Sequence, residues 1–566
     1  MAKGWPLSVL VAGPAGAGVF ATSLIIGKTL LRHGHYVFVT NEYPSLIRGG
    51  HQWALVRSSP DEYIYSHRRI IDVIIALDRS SAFAYVGRLS ERGIVICDEA
   101  DCARAQDPRV KPLPLRRILK ELGAPPVALN TLASGVVFGL LGASREVVSS
   151  VIRDQFAARE DVARLNVSLV EKGYELGVGL NTGAFPSLEI LGNGKERLLI
   201  DGNSAVALGA LAGGMSFFVA YPMTPASPIL HFLAEIQRDY NIVVFQPESE
   251  IAAVNMAIGA AYAGARSMVA TSGGGFSLMV EALGQAAMTE TPLVVVEVQR
   301  PGPSTGLPTH TAQGDLRFVI HASQGEFPRA VLAPGDPYEA YLLGFRAMEV
   351  AWAFQISVIL LSDKFLGESY WTVQQLPQMA PSAGSVVRVE VGGGYARYRI
   401  TEDGVSPMAL PGTRGALVYA NTSEHDEYGQ GSIDPSVVKA MQEKRFRKLP
   451  KLRAIAEAEG VKTYGEGDRA VVTWGSTKMP VLEAVKNVNG VKVVQVLWLE
   501  PFPVDRLRGE LKGRPFIVVE NNMTGQLVSL IREKLLVEPE GFLGKYDGRQ
   551  FEAEEIEDFL RKKGWV

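Results

Sequence analysis

Short apolar runs alternate with stretches of helical period along most of the chain. Leu7–Ala12 predicts a buried strand, Val19–Leu31 an apolar helix and Tyr36–Thr40 a second strand. Further strands are expected at Ile70–Leu77 and Gly93–Cys97, and helices at 132–142, 145–157 and 161–178. Asn181–Glu196, rich in Gly, Asn and Pro, reads as a linker. The alternation then resumes. Strand Phe217–Tyr221, helix Ile229–Tyr240, strand Ile242–Gln246 and helix Ile251–Gly264 follow one another. Next come strand Ser267–Thr271, helix Phe276–Met288 and strand Pro292–Gln299, then Arg329–Leu332, Tyr338–Ala353 and Ile356–Leu361 as strand, helix and strand. Residues 366–465 are less regular, with short strands expected at Val386–Val391 and Ala396–Ile400. Strands Ala470–Thr473, Lys492–Leu497 and Pro515–Val519, with helices Met479–Val488 and Leu527–Leu535, close the chain. Strands alternating with helices predict the α/β class, as several doubly wound parallel-sheet domains.

This pattern puts chemistry at strand ends. Tyr221-Pro-Met-Thr224-Pro-Ala-Ser227-Pro228 is a rigid turn in a stretch with no charged side chain between Asp201 and Glu235 except His231. It presents Thr224 and Ser227 where water is scarce. Glu250 opens a helix after the next strand, Ser272-Gly273-Gly274-Gly275 follows another, and Arg300 ends a fourth. In a parallel sheet those positions share one edge, where ligands bind. Arg300 suits a carboxylate through two parallel hydrogen bonds. Taken singly, Arg300 also reads as a surface ion pair and Glu250 as a helix N-terminal carboxylate favoured by the dipole.

Other motifs carry less. Gly13-Pro-Ala-Gly16-Ala-Gly18 has the glycines of a phosphate turn, but in the order GxxGxG, and no acidic residue closes the second strand. Packing of helix on sheet is the better reading. Arg48-Gly-Gly-His51 reads either as a flexible cationic turn or as a hairpin-like turn. Glu424-His425-Asp426-Glu427 holds one histidine in a Gly-rich loop and reads as a solvated polar turn. Lys444-Arg-Phe-Arg-Lys448 reads as a solvated helix face.

Composition narrows the class. The 566 residues allow about four domains, and a net charge of −3 gives no basic excess for nucleic acid. The uncharged stretch 202–230 is broken by glycines and prolines, so a membrane span is not expected. Cys97 and Cys102 form no CxxC pair, which leaves no four-cysteine cluster site and fits a reducing, cytoplasmic compartment.

Taken together, YPMTPASPI, the run PESEIAAVNMAIGAAYAGARSMVATSGGGFSLMVEALGQAAMTETPLVVVEVQRPGPSTGLPT, then GEFPRAVLAPG and VILLSD, closely resemble the alpha subunit of 2-oxoacid:ferredoxin oxidoreductases. These are the pyruvate and 2-oxoglutarate synthases. The likeness extends through NTSEHDEYGQGS, KRFRK, VTWGST, EPFP and VVENNMTGQL. GPAGAGVFATSLIIGKTL and EYPSLIRGGH look like the family's gamma subunit fused in front. The resemblance implies a gamma-like domain at 1–180, a linker at 181–198 and a thiamine diphosphate pyrimidine-binding domain at 199–365. A connecting region at 366–466 and a transketolase C-terminal-like domain at 467–566 complete the chain.

The resemblance also implies roles. Glu250 matches the glutamate that hydrogen-bonds the pyrimidine ring and favours its imino tautomer. Ser272, Gly273 and Gly274 line the same cofactor. Arg300 and Thr309 match contacts to the 2-oxoacid, and Thr224, with Ser227, lies near substrate and coenzyme A. Met223 stands where the family usually has Ile, and Pro301 where Gly is common. The chain lacks the GDG and the Asn-Asn about 25 residues later that hold Mg²⁺ and diphosphate in this cofactor class. By the resemblance, the Mg²⁺ site and the [4Fe–4S] cluster belong to a separate beta subunit. Ferredoxin takes the electrons, in a heteromer such as (αβ)₂. Two rivals remain at this level: a non-oxidative thiamine diphosphate subunit, and a non-catalytic nucleotide-binding assembly protein using Gly13–Gly18.

Overall fold

The computed structural model describes residues 6–565 except 45–48, 182, 184, 186, 192–196 and 383–393. Arg48 and the strand expected at Val386–Val391 lie outside the described residues. The chain divides into two compact units. The first holds residues up to Ile200, with Ser369–Gln375 and Glu552–Glu554; the second holds the remainder.

The first unit is built on an eight-stranded sheet that is mixed, not wholly parallel as expected. Val110–Leu113, Leu89–Asp98, Ile71–Ala76 and Leu7–Pro14 run parallel. His51–Ser59 then pairs antiparallel with Leu7–Pro14 on one side and with Tyr36–Glu42 on the other. The reason is connection length: residues 43–50 are too few for a helical crossover, so these strands fold back as a hairpin. Tyr370–Gln374 extends the sheet antiparallel to Tyr36–Glu42.

The glycine turn packs as the sequence suggests. A Cβ on Gly13 would lie 2.8 Å from Leu77 Cβ, and one on Gly18 2.0 Å from Asn130 Nδ2. The helices Leu129–Leu140 and Glu160–Leu180 also meet backbone to backbone. Gly139 stands 2.0 Å, by its absent Cβ, from the Tyr174 carbonyl oxygen. Cys97 and Cys102 are joined as a disulfide. With both cysteines in this bond, their small number is no sign of a reducing compartment.

The second unit carries two sheets. The seven-stranded sheet has the order Trp498–Glu500, Arg329–Leu332, Ser357–Asp363, Leu293–Gln299, Ser267–Thr271, Phe217–Val219, Val243–Phe245. It is parallel throughout except at Trp498–Glu500, a strand contributed from late in the chain. The five-stranded sheet, Val461–Tyr464, Gly490–Val496, Gly467–Trp474, Phe516–Glu520 and Gly541–Gly544, has one antiparallel edge. One apolar core joins them, with Val295 and Ile359 from the first and Val472 and Val518 from the second. Ala396–Ile400, expected as a strand, is irregular, although Ala396 and Tyr398 are buried. No helix among the described residues is long and apolar enough to cross a membrane.

Two polar segments expected at the surface are buried. Lys444 and Lys448 both donate to the carboxylate of Glu290, and all three side chains are out of water. Arg397 donates to the Glu290 carbonyl at 2.7 Å and to Gln355 Oε1 at 2.9 Å. One carboxylate and a few backbone and amide oxygens thus gather cations that the pattern of charges alone would place in solvent. His425 is likewise fully buried. Its Nδ1 faces the Asp426 carbonyl at 2.9 Å and its Nε2 the Met288 carbonyl at 3.1 Å. Glu424 meets Arg445, and no group of metal-ligating side chains occurs among the described residues.

Glu339 is a second buried anchor. It accepts from Lys478 and Lys462 at 3.1 Å each, and from Gln495 at 2.7 Å and the Gly335 N–H at 2.8 Å. Burial alone would raise its carboxyl, but these partners hold it at about 2. A folded pKa below the unfolded value stabilises the protein above about pH 4.5 and loses that stability as pH falls toward 2. Urea unfolding between about pH 6 and pH 3 is therefore expected to show a loss from this residue of roughly 2 kcal/mol. Glu339→Gln flattens the profile; an unchanged acid limb in that variant would refute the assignment.

Candidate active site

Four adjacent parallel strands bring the candidate residues to one edge of the seven-stranded sheet. Arg300, Ser272–Gly274, Thr224 and Glu250 follow, in spatial order, the strands Leu293–Gln299, Ser267–Thr271, Phe217–Val219 and Val243–Phe245. The carboxyl edge of such a sheet is where its strands leave a crevice for ligand.

The proline turn is held from behind by Asn203, a buried residue that sequence reading missed. Its Nδ2 donates to the Pro225 carbonyl at 3.0 Å. Arg300 Nη1 donates to the Thr224 carbonyl at 2.6 Å, which joins two of the candidates directly. Ser227 opens the helix Ser227–Ile236, its N–H donating to the Met223 carbonyl at 3.1 Å.

Glu250 is the first residue of the helix Glu250–Tyr262, capped by Ser249, whose hydroxyl accepts from the Ala252 N–H at 3.2 Å. The Glu250 side chain is nonetheless buried, and its Oε1 has no hydrogen-bond partner. A side chain serving only the helix dipole would turn to water. Gly275 makes room for it: a Cβ there would lie 2.9 Å from Glu250 Oε1 and 2.0 Å from Thr271 Oγ1. Ser272 occupies the N-cap of Gly273–Met288 but makes no side-chain cap, and its buried hydroxyl is also unpartnered. Gly274 is open on its outer side, with Met223 Sδ at 4.0 Å from its Cβ position.

The loop after Arg300 folds on itself. Leu307 N–H donates to the Pro301 carbonyl at 3.0 Å, and Gly306, at φ +54°, has no space for a side chain against that oxygen. Thr309 is buried, its hydroxyl 3.3 Å from His310 Nδ1. Beyond it, Gln313 binds the five-stranded sheet. It takes Thr477 Oγ1 at 2.7 Å and the Asn521 N–H at 3.0 Å, and gives to the Trp474 carbonyl at 3.0 Å. Asn522 donates to the Gln313 carbonyl at 3.1 Å and to Glu520 at 2.8 Å. The Asn521-Asn522 pair is thus a structural tie.

Glu297 and Asp315 also escaped the sequence reading as site residues. Glu297 is fully buried in the Leu293–Gln299 strand, and burial, then the charges of Asp315 and Asp363, raise it well above the usual carboxyl range. Asp315 is raised to about 6 by burial. Arg300 is lowered by its own burial, with Glu297 and Asp315 opposing.

A buried carboxyl oxygen without a donor, a buried serine hydroxyl without a partner and a bare glycine turn fit a flat nitrogen heterocycle such as the thiamine pyrimidine. The fold and the site define a cofactor-dependent α/β enzyme of the thiamine diphosphate type. Residues 208–444 match the family model described as pyruvate flavodoxin/ferredoxin oxidoreductase, thiamine diphosphate-binding. Residues 8–176 match the pyruvate ferredoxin/flavodoxin oxidoreductase model. The chain is 32% identical to the 2-oxoacid:ferredoxin oxidoreductase subunit alpha of Saccharolobus solfataricus, over 98% of this chain and 97% of that one. It is 35% identical to a 2-oxoglutarate oxidoreductase subunit of Mycobacterium tuberculosis, over 77% of this chain and 68% of that one. The solved 2-oxoglutarate:ferredoxin oxidoreductase from Magnetococcus marinus, with 2-oxoglutarate, coenzyme A and succinyl-CoA bound, superposes with a TM-score of 0.89 at 31% identity, covering all of both chains. The chain belongs to the 2-oxoacid:ferredoxin oxidoreductase family, as an alpha subunit.

Proposed function

We propose that this chain supplies the pyrimidine-side half of an active site. A beta subunit would complete it with the Mg²⁺–diphosphate site and the [4Fe–4S] cluster. The assembled enzyme, a heteromer such as (αβ)₂, would convert a 2-oxoacid and coenzyme A to acyl-CoA and CO₂, passing electrons to ferredoxin. The reading is carried by the unpartnered Glu250 oxygen beside a glycine turn, one strand end away from the Thr224–Arg300 contact. Exposed apolar side chains on the neighbouring edge strand and helix, Val243, Phe245, Ile251 and Met256, support a partner at this edge.

Each residue then has a task. Glu250 holds the ring nitrogen and its proton, and Ser272 with Gly273 and Gly274 accepts the ring's flat face. The cofactor, when bound, supplies the carbanion-stabilising chemistry of decarboxylation. Arg300 grips the substrate carboxylate, oriented by the Thr224 carbonyl. Thr224, Ser227 and Thr309 offer hydroxyls to the 2-oxoacid and coenzyme A. The substrate is 2-oxoglutarate, pyruvate or both.

Arg300→Lys tests the grip. Lysine keeps the charge but loses the planar fork. KM is expected to rise by the cost of a charge-assisted hydrogen bond, about 1.5–3 kcal/mol. The penalty should be similar for pyruvate and 2-oxoglutarate, because both carry the carboxylate next to the keto group. Steady-state kinetics of the complete complex on both substrates decides it. A loss confined to 2-oxoglutarate would mean that Arg300 reads the distal carboxylate instead.

A further inference from the structure

In an open parallel sheet the carboxyl edge is where a ligand usually sits. In the five-stranded sheet the chain itself fills that edge. Gln313, fully buried, lies across the ends of Gly467–Trp474 and Phe516–Glu520, bonded there to Thr477, the Asn521 N–H and the Trp474 carbonyl. Beside it runs the turn 545–550, which follows the edge strand Gly541–Gly544. Asn521 holds this turn, its Nδ2 donating to the Arg549 carbonyl at 2.8 Å and the Lys545 carbonyl at 3.3 Å. Gln550 pins the far end, with Nε2 donating to Ser476 Oγ at 2.9 Å, and both residues are buried. Gly548, at φ +83°, meets the loop that follows Arg300. Its carbonyl accepts from the Thr311 N–H at 3.0 Å. A Cβ on it would lie 3.0 Å from Leu307 Cδ1 and 3.3 Å from His310 Cβ. Leu307 and His310 flank Pro308 and Thr309. The end of the loop that carries Thr309 is thus seated on the five-stranded sheet, while Arg300, at its start, belongs to the seven-stranded one.

We propose that Gly548 is a positioning residue for the 2-oxoacid. Through it, the turn 545–550 sets where Thr309 stands relative to Arg300. The five-stranded sheet carries no candidate site residue of its own, yet it adjusts the substrate grip from behind. Glycine serves there for two reasons that can be separated. One is the positive φ; the other is the space that Leu307 and His310 leave. This rests on the reading of Thr309 and Arg300 as contacts to the 2-oxoacid.

The test is steady-state kinetics of the complete complex. Gly548→Ala crowds Leu307 and His310 and shifts the loop. A misplacement of about 1 Å can cost about 100-fold, so KM for the 2-oxoacid is expected to rise by about 10- to 100-fold. Because the contacts disturbed serve ground and transition states alike, kcat should stay within about threefold of wild type. Adding Leu307→Ala removes the nearer neighbour and should bring KM most of the way back, which backbone strain alone would not predict. Gly513→Ala is the control for strain: Gly513 has φ +70° with nothing within 4 Å of its Cβ position, and KM there should match wild type. Gln550→Met frees the turn from Ser476 without a new Cβ at Gly548 and should also raise KM. It decides the matter if Gly548→Ala does not assemble. A wild-type KM in Gly548→Ala or in Gln550→Met overturns the proposal. So does a failure of Leu307→Ala to rescue, or an equal rise in Gly513→Ala. Thr309→Val is run alongside: a wild-type KM there defeats Thr309 as a substrate contact. A raised KM there, with a wild-type KM in Gly548→Ala, leaves that contact standing and removes the part played by the turn.

Discussion

Glu250→Gln slows turnover of the assembled enzyme by about 10²–10⁴-fold, the usual worth of a positioned acid–base group. The amide matches the carboxyl in size, and Gly275 leaves the same space for it. The Ser249 cap is untouched, so the helix still forms. What changes is the unpartnered Oε1. A carboxyl there can take and return a proton at a ring nitrogen; an amide cannot. Assembly, measured by gel filtration, and cofactor content, measured after removal of free ligand, should stay near wild type while dye reduction collapses. Near-native turnover would reduce Glu250 to a helix-end carboxylate and direct attention to Glu248.

The largest effect on stability is expected from Glu290→Gln. The variant leaves Lys444 and Lys448 buried with no carboxylate between them. Breaking a buried pair by removing one member costs about 3–5 kcal/mol, because the remaining charge has no water to return to. Lys444, already lowered to about 8 chiefly by burial, would shed its proton more readily still. Adding Lys444→Met should recover part of the loss, since it removes one of the stranded charges. Urea midpoints of wild type, single and double variants measure this. A single variant within about 0.5 kcal/mol of wild type would show that solvent reaches the cluster.

These two residues mark how far the sequence could be read. Glu250 was visible because its signals are local: a strand, a Pro–Glu–Ser turn and a small-residue helix stand within twenty positions. The same holds for Thr224, the glycines and Arg300, since alternation fixes the strands and a parallel sheet sends their ends to one edge. Glu290 and its lysines lie more than 150 residues apart in the chain. A run of cations looks solvated until its carboxylate is found, so Lys444–Lys448 was misread. Glu297 carries no local signal, because the carboxyls around it, Asp315 and Asp363, come from elsewhere in the chain. The antiparallel place of His51–Ser59 and the late strand Trp498–Glu500 were hidden for the same reason: pairing partners are chosen in space.

That late strand has a consequence for how the molecule is made. Arg329–Leu332 leaves the ribosome with one side of its backbone unpaired, and its neighbour Trp498–Glu500 is still about 170 residues from synthesis. At about 5–20 residues per second the open margin persists for roughly ten to thirty seconds. During that interval the nascent sheet offers a row of amides and carbonyls to any other extended chain nearby. Closing the sheet thus waits on a strand made about 170 residues after its partner, and that later segment serves as the guard of the chain's middle.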